Sequence, residues 1–292
     1  MIILFVTNGK SGAGRFAVGC SLGTALRRAG VECSYAMVAA HEFAFLGEAL
    51  GFTVVSIPFD HERELDPSVA RESELYRTLV ALNPDVIVMQ QAWYSLHHIV
   101  KDFVCPKVAL FFQASERFFR VPHPAGDLVF DAEAYDLVLG IEPWNWPIAC
   151  QTIEPLVLRN PGEILPRHEA AARLAVDAAR PTALVSTNGL PGEFEQLRSE
   201  YSYLEDEYQV VYSSNYGGGI YPAVDYFDLF DFIVSAGGYN SFWEAVYFRK
   251  QAHFVPQPRR FESQQWRIDN CLDYRFECNG ADRLVEMILS LC

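Results

Sequence analysis

The residues with the clearest chemical potential lie between positions 231 and 270. Asp231–Glu244 (DFIVSAGGYNSFWE) reads as a strand, a glycine turn and the start of a helix. Gly237 and Gly238 would let a phosphate approach the main chain, and a helix N-terminus offers N–H groups and a positive dipole end to an anion. Asn240 or Ser241 could cap that helix. Glu244 follows near its start, where a carboxylate could accept bonds from vicinal hydroxyls of a ribose; Ser241-x-x-Glu244 is equally the pattern of a capping box. After a further strand, Ala252–Val255, comes a Pro-bracketed loop, Pro256–Arg260. Glu262, Gln264 and Gln265 then place one carboxylate and two adjacent amides where a ligand rich in hydroxyls could be held. A polar helix start is the plainer reading of the same residues.

A second glycine loop follows the first strand. Gly12-Ala13-Gly14-Arg15-Phe16-Ala17 satisfies G-x-G-x-x-A, so a dinucleotide is one candidate ligand and a ligand-free tight turn is the other. A nicotinamide dinucleotide would also call for an acidic residue at the end of strand two, and Met37–Ala40 supplies none.

These loops need a scaffold, and the chain pattern specifies one. Apolar runs at Ile2–Val6, Glu32–Val38, Thr53–Ile57, Val86–Met89, Val108–Phe112 and Leu137–Ile141 alternate with helical stretches. A second series follows at Thr182–Ser186, Gln209–Ser213, Phe232–Ser235 and Ala252–Val255. Continuous rather than alternating apolar strands imply burial on both faces, hence parallel sheets flanked by helices. Turn-rich Leu158–Arg167 marks a boundary, giving residues 1–158 and 159–292 as two α/β, Rossmann-like domains. Such sheets bind ligands at their carboxyl ends, so a central cleft between the two domains is expected. The last helix, Asp282–Leu291, is expected to pack back on the N-terminal domain.

Composition narrows the classes of partner. The chain has 292 residues, 23 Lys and Arg against 37 Asp and Glu, and a net charge of −14. So acidic a protein repels phosphate backbones, which argues against nucleic acid. No run approaches the roughly 20 apolar residues of a membrane span, and the N-terminus lacks the basic flank of a signal peptide. Seven scattered Cys without a C-x-x-C pair read as reduced thiols, and cytoplasmic is the expected location. His97-His98 lacks the company of a metal site. Trp93-Tyr94, Phe118-Phe119 and Trp144–Trp146 could stack on a sugar or lipid, although large rings are more often core. The acidic run Glu193–Glu207 reads as a solvated helix face.

Taken in order, the Asp-rich lead from Asp228, the strand, Ser-x-Gly-Gly, the helix with Glu244, the strand ending in Pro, then Glu-x-Gln-Gln and Asn270 resemble the GT-B glycosyltransferases. The resemblance is to the branch containing the lipid-linked N-acetylglucosamine transferase of peptidoglycan synthesis, the glycosyltransferase family 28 group. It implies two Rossmann-like domains, the first on the acceptor side and the second holding a nucleotide diphosphate sugar, with UDP as the expected nucleotide. By position, Glu244 would hold the ribose, and Gly237, Gly238, Asn240 and Ser241 the diphosphate. Gln264, Gln265 and Glu262 would address the sugar, Ile220 the base, and Asn188-Gly189 would lie opposite the phosphates. It also implies metal-independent transfer without a cofactor, the nucleotide sugar being a substrate, to an acceptor that is a glycan, a lipid or a small molecule.

The family often has His where this chain has Arg15, after Gly12 and Gly14. A guanidinium stays protonated at pH 7 and cannot act as a base, so it would clamp a phosphate or carboxylate instead. Base candidates are then Glu116 and His123, with His41 and His61 behind them. The alternatives are a nucleotide-sugar hydrolase or epimerase on the same fold, and a non-catalytic nucleotide-sugar-binding subunit that works with a partner subunit.

Overall fold

A computed structural model describes residues 1–7, 13–39, 43–216 and 219–292. Two compact units emerge. Arg15–Pro155 and Gly280–Cys292, with the N-terminal strand, make the first; Leu156–Asn279 makes the body of the second.

The first unit opens with β1 (Ile2–Val6), α1 (Gly14–Arg28), β2 (Ser34–Ala39), α2 (Ala44–Ala49) and β3 (Thr53–Ser56). It continues through α3 (His61–Glu64), α4 (Glu74–Leu82), β4 (Val86–Gln90), α5 (Trp93–Leu96) and β5 (Lys107–Phe111). A hairpin of β6 (Arg120–Val121) and β7 (Leu128–Val129) precedes β8 (Leu137–Gly140) and β9 (Gln151–Thr152). The second unit holds α6 (Arg167–Leu174), β10 (Thr182–Ser186), α7 (Pro191–Glu200), β11 (Gln209–Ser213), β12 (Phe232–Ala236), α8 (Tyr239–Tyr247), β13 (Ala252–Val255) and α9 (Gln264–Cys271). The closing helix, α10 (Gly280–Leu291), belongs to the first unit.

Seven strands of the first unit form one sheet in the order β3-β2-β1-β4-β5-β8-β9, every neighbouring pair parallel. Ile3–Val6 and Val86–Met89 are at most 1% exposed, which is why both strands read as unbroken apolar runs. α1 lies close against this sheet because it carries glycine on its inner face. A Cβ at Gly19 would meet the Phe5 ring at 2.7 Å and the Met37 sulfur at 2.8 Å. At the other end of the chain, Arg28 of α1 pairs with Asp282 of α10 (Nε to Oδ1, 2.8 Å). Among the described residues no helix is long and apolar enough to cross a membrane.

The second unit has a four-stranded parallel sheet, β11-β10-β12-β13. Ala183, Val185 and Val234 pack with Leu197 of α7 and Leu204 on one side of it, while α8 buries Phe242, Trp243 and Ala245. The Asp-rich lead into β12 serves this scaffold. Asp231 takes both terminal nitrogens of Arg167 (3.0 and 2.9 Å) and the Thr182 N–H (2.9 Å), and Asp228 caps the Arg167 N–H (2.9 Å). Those contacts sit at the amino end of the strands.

α8 ends in a Schellman motif. The Lys250 N–H reaches the Ala245 carbonyl (2.9 Å) and the Arg249 N–H the Val246 carbonyl (3.0 Å). Arg249 therefore occupies the left-handed position, at φ 51°, where glycine costs least. Arg249→Gly is expected to stabilise the protein by about 1 kcal/mol; urea denaturation would show it as a higher midpoint at unchanged slope.

Candidate functional site

The geometry of a site in the second unit follows from strand order. The chain runs from β10 outward to β11, then returns to the other flank of β10 for β12 and β13. The gap above β10 and β12 is thus the switch point of a parallel sheet, where two successive connections diverge and leave a crevice at the carboxyl edge. Ser186 pairs in register with Ser235, so the turns Asn188-Gly189 and Gly237-Gly238 leave that edge from adjacent strands. Two hydroxyls missed in the sequence reading lie here. Thr187 Oγ1 (2% exposed) and Ser235 Oγ (1% exposed) are buried without a hydrogen-bond partner among the described residues, a condition that calls for a reason.

Gly238 is the N-cap of α8, in extended conformation (φ −66°, ψ 155°), and among the described residues no side chain caps this helix end. The positive end of the helix dipole is therefore open to an anion. This corrects the expectation that Asn240 or Ser241 caps the helix: they are its second and third residues. It also removes the capping-box reading of Ser241-x-x-Glu244, because Glu244 lies in the second turn. Its carboxyl pKa is pushed from the ordinary 4.5 to about 8, first by burial and then by the Asp225 carboxylate, against a smaller opposing pull from Arg159. Arg159 is itself engaged with Asp225 (Nε to Oδ1, 2.6 Å; Nη2 to Oδ2, 3.2 Å). At neutral pH Glu244 accordingly carries its proton, and it can both donate to and accept from a hydroxyl.

The glycine turn rests on a residue that sequence reasoning overlooked. Arg267 of α9 is fully buried, donating from Nη1 to the Gly237 carbonyl (2.7 Å) and from Nη2 to Glu262 (3.1 Å). Glu262 is thus a partner of Arg267. Gln264 is 3% exposed, and its Oε1 accepts the Gln257 N–H (2.9 Å), holding the loop after β13. Gln265 is exposed and donates to Asp269 one turn on (2.7 Å). Ser263 caps α9 through the Trp266 N–H (3.2 Å). Of the expected sugar-facing group, Glu262 and Gln264 act in the frame of the turn and Gln265 lies on the helix exterior.

Across the switch point a third loop closes on the second. Arg259 grips Glu193 with both terminal nitrogens (2.6 and 2.7 Å), and Glu193 also accepts the Leu190 N–H (3.0 Å). Against the burial that would raise it, these donors hold the Glu193 carboxyl below its ordinary value. Its side chain is only 11% exposed, which corrects the reading of the 193–207 run as solvated from its first residue. Asn188 Oδ1 accepts the Asn215 N–H (2.8 Å), and the Gly189 carbonyl accepts from Tyr216 Oη (3.0 Å). The Ile220 N–H is committed to Ser213 Oγ (3.0 Å). Gly219 leaves no room for a side chain, since a Cβ there would collide with the Ser214 backbone.

Arg15, His61, Glu116 and His123 belong to the first unit. Gly12 and His41 lie outside the described residues. Gly14 begins α1, and Arg15 Nη1 approaches Tyr94 Oη at 3.5 Å. Glu116 is exposed and starts a short 3-10 turn after β5. His123 lies in the β6–β7 hairpin, where its Nδ1 accepts the Ala125 N–H (3.3 Å). The His61 ring lies tilted against Phe59 at 3.7 Å and meets Tyr94 edge-on at 5.1 Å. Trp93, Phe118 and Phe119 are at most 5% exposed and belong to the core. Trp144 is half-buried and donates to the Ala114 carbonyl (3.2 Å).

No family model matches the chain, and no curated protein matches it. Solved structures do. Spinosyn rhamnosyltransferase SpnG complexed with thymidine diphosphate superposes with a TM-score of 0.61 at 13% identity, covering 99% of this chain and 92% of that one. Glycosyltransferase VinC in complex with dTDP gives 0.60 at 13%, covering 100% and 91%. MurG of Acinetobacter baumannii gives 0.51 at 12%, covering 99% and 91%. Two α/β units on parallel sheets, matched along nearly the whole chain, give this protein the GT-B fold of those glycosyltransferases.

Proposed function

We propose that the second unit binds a nucleoside diphosphate sugar and that the protein transfers the sugar to an acceptor. The observation that carries this reading is the uncapped N-terminus of α8, entered through Gly237-Gly238 at the switch point of a parallel sheet. Main-chain N–H groups and a helix dipole fixed there would take up the charge that develops on a departing diphosphate, without reorganisation during the reaction. Glu244, protonated in its second-turn position, would meet the ribose hydroxyls. The fold supports the reading, since proteins of the same fold are glycosyltransferases, SpnG and VinC among those solved with thymidine diphosphate. Those neighbours make thymidine as eligible a base as the uridine expected from sequence. Glu116 and His123 of the first unit are the candidates for deprotonating a hydroxyl acceptor, with Arg15 as an anion clamp.

Gly238→Ala tests the pocket with little disturbance of the fold. Its backbone conformation suits any residue, and a methyl there meets nothing nearer than 3.9 Å, the Gln264 amide. The variant is expected to melt with the wild type yet bind thymidine or uridine diphosphate about tenfold more weakly, as a methyl displaces phosphate from the main chain. Calorimetric titration with each nucleotide would measure it. Equal affinity in variant and wild type, or stabilisation by NADH alone, would overturn the assignment. Release of nucleotide from a TDP- or UDP-sugar without added acceptor would identify water as the acceptor.

A further inference from the structure

We propose that the second unit carries another ligand site, for a flat aromatic anion, at the end of α8 opposite the glycine turn. This goes beyond the reading above and does not depend on it. A cavity of about 410 Å³ opens beside the helix C-terminus, lined by Tyr247, Phe248, Arg249, Tyr274, Arg275 and Phe276 among others. Its volume lies in the range of small-molecule pockets. Nine helical residues separate it from the turn, a rise of about 13 Å.

Three features distinguish it from an accidental hollow. Its walls are aromatic faces already fixed by one another: Tyr247 meets Phe276 at 4.9 Å, Tyr274 meets Phe276 at 5.2 Å, and Trp243 backs Tyr274 at 5.2 Å. A planar ring could enter without having to order these walls. Next, among the described residues neither the Arg249 nor the Arg275 guanidinium has a hydrogen-bond or ion-pair partner. Six other arginines, at 28, 71, 159, 167, 259 and 267, hold carboxylates, so the two on this lining keep donors that those have spent. Among the described residues Glu277 is the one acidic side chain on the lining, against two guanidinium groups. The third feature is the backbone. Arg249 is held in the left-handed region that also ends the helices at Asn83 and Ala175, which fixes the direction in which its side chain leaves the main chain beside the cavity. Attraction to the negative end of α8 accounts for a cation near Arg249, but gives no reason for Arg275. Together they present two bidentate donors for a carboxylate or phosphate at the rim of an aromatic slot.

The test uses the full chain with 2-naphthoate and 1-naphthyl phosphate as probes, which separate a carboxylate from a phosphate headgroup. Calorimetric titration is expected to show one-to-one binding of at least one of them. Arg249→Gly and Arg275→Ala should each weaken it about tenfold, while leaving the affinity for thymidine diphosphate unchanged. Arg249→Gly also keeps the test independent of folding, because that variant should melt no lower than the wild type. Absence of binding by both probes at millimolar concentration would overturn the proposal. So would equal binding in wild type and both variants, or displacement of the probe by thymidine diphosphate.

Discussion

Glu244→Gln is expected to remove a loss of stability that the wild-type protein shows as pH rises from about 5 to 9. The Glu244 carboxyl titrates near 8 in the folded chain and near its ordinary 4.5 when exposed. Between those values the folded state keeps a proton that the unfolded state has released. Stability therefore falls with rising pH across that window and levels off above it. Taken in full, the displacement corresponds to about 5 kcal/mol, and a loss of about 3–4 kcal/mol between pH 5 and pH 9 is the expected size. Arg159 does little to offset it because Asp225 already holds that guanidinium at 2.6 Å. Glutamine reproduces the neutral shape and cannot ionise. Urea titrations at pH 5 and pH 9 should show the wild type losing stability while the variant holds its own after the shared contribution of other groups is subtracted. Parallel pH profiles for the two proteins would mean that Glu244 ionises freely.

Why Glu244 could be singled out from sequence but not characterised there is instructive. Its place after a glycine turn marks it as able to meet a ligand, whereas its protonation depends first on burial and then on the Asp225 carboxylate, both set by tertiary packing. The pattern Ser241-x-x-Glu244 also misleads, because the helix begins three residues earlier than a capping box requires, at Tyr239. Strands are the opposite case. Ten apolar runs became ten parallel strands with ends shifted by a residue or two, since burial on both faces leaves a continuous signal. The two-residue strands β6, β7 and β9 were not legible. Too short for any periodicity, they exist through pairing with neighbours rather than through their own residue types.

The same limit hid the supports of the glycine turns. Glu193 and Arg259 are 66 positions apart, and each looks like an ordinary surface charge until the loops after β10 and β13 meet. Arg267 had a faint local signal, being three residues beyond Gln264 on the same face of α9 and therefore turned inward with it. Composition alone gives no reason to bury an arginine.

Arg267 yields the largest expected effect on stability. Arg267→Ala should cost about 3–5 kcal/mol, because it strips a buried guanidinium from the Glu262 carboxylate and the Gly237 carbonyl and leaves both without that donor. Lysine would not restore it, since a single ammonium cannot span two acceptors as a planar fork does. The argument concerns pairing, not size, so Glu262→Gln combined with Arg267→Met should lose less than the sum of the two single changes. Urea denaturation of the four proteins closes that cycle. Where Arg267→Lys still folds, its affinity for thymidine diphosphate should fall, because the turn carrying Gly237 has lost the brace that aims it. An Arg267→Ala protein within 1 kcal/mol of the wild type would show that the turn holds its shape unaided, and that the buried arginine belongs to the packing of α9 alone.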